Sequence, residues 1–182
     1  MQGTQTDDAP VESSKTDAKS ADGTLFGRSV TINKRPQELY AYYRDFRNLP
    51  TFMENVVRID ELGGGRSHWV VKAPGGTTVE WDARLTEEQE GAVLAWEAED
   101  GADVANQGRI TFRDAGARGT VVTATIAYEP PAGFIGRIVA KMFQREPAIQ
   151  ARRDLRRFKQ LMETGEIATN AITREQLEKE GR

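Results

Sequence analysis

The stretch PAGFIGRIVAKMFQREPAIQARRDLRRFKQLMETG, residues 131–165, is the longest part of this chain with sustained helical spacing of its apolar residues. One apolar stripe recurs at intervals of three and four and consists of Ala148, Ala151, Leu155, Phe158 and Met162. Most basic residues fall off that stripe, so the helix has one apolar and one solvated face. Pro147 cannot donate an intrahelical hydrogen bond, and Gly165 suits a helix end. We therefore expect a short segment over 133–143 and a main helix over 147–163.

The sequence before this helix reads mainly as strands. Alternating apolar and polar residues predict about seven strands, and the short turns between them favour antiparallel pairing. Pro36 suits a first helical turn, so two short helices are expected after the first strand, at about 36–44 and 48–53. Gly108 lies inside a strand and suggests a bulge. The predicted fold class is α+β, with one apolar sheet face that the long C-terminal helix covers.

Length and composition limit the classes of function. The 182 residues suggest one domain, expected over 25–165, between a disordered tail over 1–24 and a C-terminal tail over 166–182 with a short helix. The chain has no cysteine and only one histidine, which excludes disulfides, thiolate chemistry and multi-histidine metal centres. No apolar run approaches the roughly 20 residues of a membrane span, and we see no secretory signal, so we expect a cytoplasmic protein.

The charge of the chain is unevenly distributed. The net charge is −3, yet residues 134–163 carry eight basic and three acidic side chains, an excess of +5. Because the remaining body is acidic, we do not expect nucleic acid as a partner. Two interpretations of the basic, apolar segment stay open. It either packs over the sheet edge or makes a transient membrane-surface contact through Phe134, Arg137 and Lys141.

The apolar face of the predicted sheet carries several large rings and small partners. The rings are Trp69, Trp81, Trp96, Phe112 and Tyr128, and the small residues include Ala83 and Ala124. Two interpretations stay open here as well, a packed aromatic core and a ligand cavity that these residues line. Asn106 falls on the same face, where its amide either orients a polar ligand group or satisfies the backbone.

No catalytic constellation is recognisable in the sequence. His68 is out of step with the apolar face, so it should face solvent, away from any cavity. Glu80 and Asp82 share that outer face. Cross-strand pairing with Arg84 or Lys72 explains both carboxylates. We therefore predict no catalytic residue, no metal and no cofactor.

Four phrases, in this order along the chain, resemble the SRPBCC superfamily, whose members have the START-type helix-grip fold. They are SVTINKRPQELYAYYRDFRNLPTFMENV (29–56), WEAEDGADVANQGRITF (96–112), RGTVVTATIAYEPPAGFIGRIVAKMF (118–143) and DLRRFKQLMETGEI (154–167). Within the superfamily the chain is most similar to the polyketide cyclase/dehydrase and coenzyme Q-binding group. The resemblance implies a curved antiparallel sheet that grips the C-terminal helix, with a cavity between them for quinones, lipids or polyketides.

The resemblance and the aromatic face together favour a binding protein for a hydrophobic small molecule such as a quinone or lipid. The expected lining of its cavity comprises the residues named above together with Ile138, Met142, Leu155 and Phe158. Two alternatives stay open: a cyclase/dehydrase-type enzyme acting on a polyketide-like or aromatic substrate, and an interaction domain whose cavity is filled. The enzyme requires ionisable groups that face inward, and Glu61, Asp103 and Glu129 are the candidates.

Overall fold

The computed structural model describes residues 24–129 and 147–167, in which one antiparallel sheet is accompanied by three main helices. The strands are β1 (Thr24–Ile32), β2 (Val56–Gly63), β3 (Arg66–Lys72), β4 (Thr78–Gln89), β5 (Val93–Ala98), β6 (Ala105–Asp114) and β7 (Thr120–Glu129). The helices are α1 (Pro36–Arg44), a 3₁₀ helix (Phe46–Thr51) and α2 (Pro147–Thr164), and single 3₁₀ turns lie at Pro74–Gly76 and Gly116–Arg118. The predicted α+β class and the seven strands are confirmed.

The strands follow the order β1-β7-β6-β5-β4-β3-β2 across the sheet. Strands β2 to β7 therefore pair with their sequence neighbours, as short turns predict, whereas β1 pairs with β7. That pairing starts with Thr24 opposite Tyr128, so β1 begins earlier than the predicted strand at residue 29. In β3 and β4, Trp69 lies opposite Trp81, which puts both rings on the same face.

Gly108 does not form the predicted bulge. Its pairing with Trp96 on β5 and with Ile126 on β7 continues a regular register. A Cβ atom placed on Gly108 would lie 2.2 Å from Cζ2 of Trp96, far inside van der Waals contact. A glycine is required there because the neighbouring indole occupies the space of a side chain.

The two short helices begin where local capping favours them. α1 has the predicted bounds, with Pro36 in its first turn. The Asp45 carboxylate accepts a hydrogen bond from the Arg47 backbone N–H at 3.2 Å and caps the 3₁₀ helix. Because that cap comes directly after α1, the 3₁₀ helix begins at Phe46, before the predicted range of 48–53.

α2 lies along β1 and the end of the 3₁₀ helix, where its basic side chains bond to backbone carbonyls. Nζ of Lys159 donates to the Thr31 carbonyl at 2.8 Å, and Nε of Arg157 donates to the Phe52 carbonyl at 2.9 Å. Gly165 ends the helix as predicted, with a φ of 78° and an N–H that donates back into the last turn at 2.8 Å. Part of the predicted solvated face therefore fixes the helix in place.

The apolar interior of the described residues divides into two clusters. The main cluster joins the centre of the sheet to α1, the 3₁₀ helix and α2. We call the second one the sheet-end cluster, and it consists of Val71, Ala73, Val79, Val104 and Tyr128, with Val56 and Trp81 packed against it. All of them lie at or next to one end of the sheet, where β2, β4 and β6 begin and β3, β5 and β7 end.

Several predictions concern parts of the chain outside the described residues. These are the segment 133–143 with its proposed membrane-contact residues, the two lining residues Ile138 and Met142, and nearly all of both tails. Within the described residues, no helix is long and apolar enough to cross a membrane.

Candidate functional site

The main cluster is filled by rings from the short helices. The Phe46 ring of the 3₁₀ helix lies 5.7 Å from Trp69 and 5.9 Å from Trp96, measured between ring centroids. Tyr43 of α1 lies 6.1 Å from Phe112 in the same way. The expectation that the long helix alone covers the sheet therefore needs correction. Both short helices point aromatic side chains at the centre of the sheet, and α2 covers the side next to β1.

The predicted lining residues divide between the two clusters. The main cluster contains Trp69, Ala83, Trp96, Phe112, Ala124, Leu155 and Phe158. Tyr128 belongs to the sheet-end cluster, and Trp81 packs against both clusters. Asn106 lies opposite Tyr128, and its side-chain nitrogen donates to the Val104 carbonyl at 2.9 Å. That these residues contact a ligand stays a prediction.

Three indole rings stack across β3, β4 and β5. The centroids of Trp69 and Trp81 are 6.0 Å apart with ring planes at 12°, and those of Trp69 and Trp96 are 6.0 Å apart at 17°. The indole N–H of Trp69 donates to Oγ of Ser67 at 2.9 Å. Nε1 of Trp81 is also buried, but no described residue accepts a hydrogen bond from it. A buried donor without an acceptor is unfavourable, so this atom marks an unmet polar requirement beside the sheet-end cluster.

Asp154 is a candidate that sequence reasoning missed. It lies on the apolar stripe of α2, three residues after Ala151 and four before Phe158. Oδ1 of Asp154 accepts a hydrogen bond from Nε2 of Gln150 at 2.9 Å. Burial raises the pKa of Asp154 to about 6, against the lowering effect of its hydrogen bonds to the Glu54 backbone and to Gln150. The helical spacing from Ala151 and Phe158 indicated that this residue faces the interior, but a charged residue is normally assigned to the solvated face.

The Asp154 carboxyl lies near a buried tyrosine and on the same end of the molecule as the sheet-end cluster. Burial and, after it, the charge of Asp154 raise the pKa of Tyr43 well above its usual range. The Glu54 N–H donates to Asp154 at 3.4 Å, and the Glu54 carbonyl accepts from Nζ of Lys72 at 3.3 Å. In the sequence, Lys72 is flanked by Val71 and Ala73, both of which belong to the sheet-end cluster.

His68 faces away from the interior, as predicted. Its Nδ1 is 2.7 Å from Oδ1 of Asp82, and its Nε2 is 3.4 Å from Oε2 of Glu80. Asp82 also lies 3.5 Å from the Arg66 guanidinium, whereas Arg84 pairs with a glutamate of β5. The two carboxylates therefore pair with His68 and Arg66 and not with Arg84. These contacts are ordinary cross-strand pairs on the outer face.

The three carboxylates considered for an enzyme do not lie in an enclosed site. Glu61 and Glu129 are exposed, and Asp103 accepts a hydrogen bond from the Glu80 backbone N–H at 2.9 Å. Over residues 24–129 and 147–167, no three His, Asp or Glu side chains come together as a metal site. Asp154 is therefore the carboxyl group in this part of the chain whose surroundings most resemble a functional site.

Solved structures of other proteins share this fold. A protein from Deinococcus radiodurans is 38% identical, with a TM-score of 0.65, over 79% of this chain and 99% of that chain. An aromatase/cyclase from a Streptomyces species is 13% identical, with a TM-score of 0.60, over 80% of this chain and 99% of that chain. A START superfamily protein from Mycobacterium smegmatis is 12% identical, with a TM-score of 0.52, over 72% and 97% of the two chains. The predicted helix-grip fold is thereby confirmed.

Comparison with curated protein sequences gives no match. The profile of one family, described as polyketide cyclase/dehydrase and lipid transport, matches residues 24–163. That range contains the whole sheet, both short helices and nearly all of α2, and so it includes Trp81 and Asp154. The chain therefore belongs to the polyketide cyclase/dehydrase and lipid transport family.

Proposed function

We propose that this protein binds a hydrophobic small molecule, such as a quinone or a lipid, between the sheet and α2 at the sheet-end cluster. The observation that carries the proposal is the uneven cover of the sheet. Rings from α1, the 3₁₀ helix and α2 fill the main cluster, whereas no described helix contributes an apolar side chain to the sheet-end cluster. The members of the sheet-end cluster are nevertheless at most 9% exposed, so this second apolar interior is enclosed and separate from the main cluster, which suits an apolar ligand.

The chemistry of the sheet-end cluster suits an apolar ligand. Its members are mostly valines, with an alanine and the ring of Tyr128, and Trp81 packs beside them. Ligand sites of this kind are mainly apolar and contain a few polar groups that fix the orientation. Asn106 and the indole N–H of Trp81 are polar groups next to this cluster, and Tyr128 within it carries a hydroxyl. Family membership supports the same class of ligand, because the family is described by lipid transport as well as by polyketide chemistry.

Native mass spectrometry tests the proposal. Protein purified from its own host is compared before and after extraction with organic solvent, and the extract is analysed for apolar compounds. We expect a co-purifying compound and, after extraction, saturable rebinding of decylubiquinone or oleate followed by tryptophan fluorescence. An extract without such a compound, together with no response to either probe, would contradict the proposal.

Two matched alanine substitutions locate the site. Ala73→Leu adds bulk at the sheet-end cluster, and Ala83→Leu adds the same bulk in the main cluster, where Ala83 is 0% exposed. Overpacking a filled core costs about 1–3 kcal/mol, so Ala83→Leu should lower the free energy of unfolding by that amount. Ala73 is also buried, at 9% exposed, so Ala73→Leu should cost some stability as well, but it alone should weaken probe binding, by about tenfold. Probe binding that Ala73→Leu leaves unchanged would place the ligand elsewhere.

A second candidate is a cyclase/dehydrase-type enzyme, and Asp154 is the observation that favours it. A desolvated carboxyl with a pKa of about 6 stays partly protonated near neutral pH and can act as a general acid. The enzyme predicts conversion of a linear polyketone into a cyclised product, detected by liquid chromatography with mass spectrometry. Asp154→Asn should abolish that conversion while leaving binding of the polyketone intact. Binding without product formation in the wild-type protein would favour the carrier over the enzyme.

A further inference from the structure

The indole N–H of Trp81 is the one buried side-chain polar atom in the described residues that has no hydrogen-bond partner. The stacked indole of Trp69 provides an internal comparison, because its N–H is satisfied by Ser67 at 2.9 Å. The two rings are stacked with their planes at 12°, yet only the Trp69 N–H has an acceptor among the described residues.

Within residues 24–129 and 147–167, no group accepts a hydrogen bond from the Trp81 indole. The backbone carbonyls on either side of Trp81 accept other hydrogen bonds, Glu80 from the Asp103 N–H at 3.3 Å and Asp82 from the Glu99 N–H at 2.7 Å. The neighbouring sheet-end cluster is mostly aliphatic. A phenylalanine would also present an aromatic ring to Trp69, without a buried N–H. The indole nitrogen therefore has no evident role in packing.

We propose that the ligand presents a neutral hydrogen-bond acceptor, in its simplest form a ketone or quinone carbonyl oxygen, to Nε1 of Trp81. This inference rests on the proposed function and narrows its class of ligand. An indole N–H only donates, so it selects an acceptor. A carboxylate fits less well, because the indole N–H carries no positive charge to compensate a buried negative charge and the residues of the cluster itself are uncharged. A hydrocarbon would leave the N–H buried and unsatisfied.

Fluorenone and fluorene form a matched pair of probes, since they share one ring skeleton and differ in a single carbonyl group. Wild-type protein should bind fluorenone about tenfold more tightly than fluorene, the preference that one buried hydrogen bond provides. Trp81→Phe should bind both compounds alike. Tyr40→Phe is the control, because it removes a side-chain hydroxyl whose partner is Glu88, near the other end of β4. It should keep the preference for fluorenone.

A spectroscopic measurement on the unmodified protein keeps the inference testable even if Trp81→Phe does not fold. The chain has three tryptophans, so a ¹H–¹⁵N spectrum contains three indole signals. The Trp81 signal is assigned from its loss in Trp81→Phe or from its proximity to Val79. Fluorenone should move its proton resonance downfield, and fluorene should not. Equal affinities and an indole proton that fluorenone does not move downfield would overturn this inference and leave the proposed function standing. Binding of neither compound would count against the proposed function, and the inference would fall with it.

Discussion

Replacing Asp154 with asparagine should stabilise the protein, and more so at higher pH. The carboxyl has an ordinary pKa of 3.8, and burial raises it to about 6 in the folded chain. The folded state therefore holds this proton more tightly than the unfolded state does. The resulting contribution to stability is complete below about pH 4 and is lost as the pH rises through about 6. Asparagine has the same shape, and its carbonyl oxygen can accept the same hydrogen bonds from Gln150 and the Glu54 backbone.

The size of the effect follows from the change in pKa. A rise from 3.8 to about 6 makes the folded state about 3 kcal/mol less stable once the carboxyl is ionised. Asp154 retains some contact with solvent, so we expect the variant to gain about 2–3 kcal/mol over the wild type between pH 4 and pH 8. Most of that gain should appear between about pH 4 and pH 6, where the carboxyl is ionised in the unfolded state and still largely protonated in the folded state. Above about pH 6 both states become ionised and the difference levels off.

Urea denaturation followed by tryptophan fluorescence, repeated across this pH range, measures the difference in unfolding free energy. The control is Asp100→Asn, which removes the same charge from an exposed turn between β5 and β6. Its effect should stay within about 0.5 kcal/mol at every pH. A difference between Asp154→Asn and the wild type that does not change with pH would refute the reasoning, as would a variant that is less stable at pH 8.

Three further substitutions test the packing of the main cluster. Gly108→Ala puts a methyl group 2.2 Å from Cζ2 of Trp96 and should lower the free energy of unfolding by about 3 kcal/mol. A loss below about 1 kcal/mol would mean that the indole can move aside. Phe46→Ala removes the ring that lies 5.9 Å from Trp96 and should lower the free energy of unfolding by about 3–5 kcal/mol. It should also shift the tryptophan emission to longer wavelength, and unchanged emission would contradict the conclusion that Phe46 covers the tryptophans. Tyr40→Phe removes a hydrogen bond of 3.0 Å to Glu88 and should cost about 1 kcal/mol by urea denaturation, and a cost of several kcal/mol would show that the hydroxyl has another role.

The sequence predicted the strands well because alternation is a local signal. It placed Trp69, Trp81 and Trp96 on one face of the sheet, and the structure stacks these three rings. The pairing of β1 with β7 is a different kind of fact, since it joins segments about a hundred residues apart without a turn between them. Turn chemistry carries no information about such a pair. The resemblance to a known fold implied a curved antiparallel sheet around the C-terminal helix, but it did not specify this pair.

The cover of the sheet was harder to predict than the sheet itself. Phe46 lies in a 3₁₀ helix of six residues, which is too short for a helical period to show which side faces the sheet. Asp154 was missed for the opposite reason. Its spacing from Ala151 and Phe158 does place it on the apolar stripe, but a charged residue is normally assigned to the solvated face. Only the packing of α2 against the rest of the fold decides which rule prevails.

Trp81 and Asp154 together bear on the choice between a ligand-binding protein and an interaction domain with a filled interior. Each residue carries a cost that another would avoid, since phenylalanine would keep an aromatic ring without the buried N–H and asparagine would keep the shape without the desolvated acid. Both lie on the end of the molecule that holds the sheet-end cluster. A filled interior gains nothing from either cost, whereas a ligand with a polar group can offset one or both. Buried polar groups are normally hydrogen-bonded and acidic residues normally solvated, and exceptions to such rules are expected at functional sites. Trp81 and Asp154 are two such exceptions at the same end of one sheet.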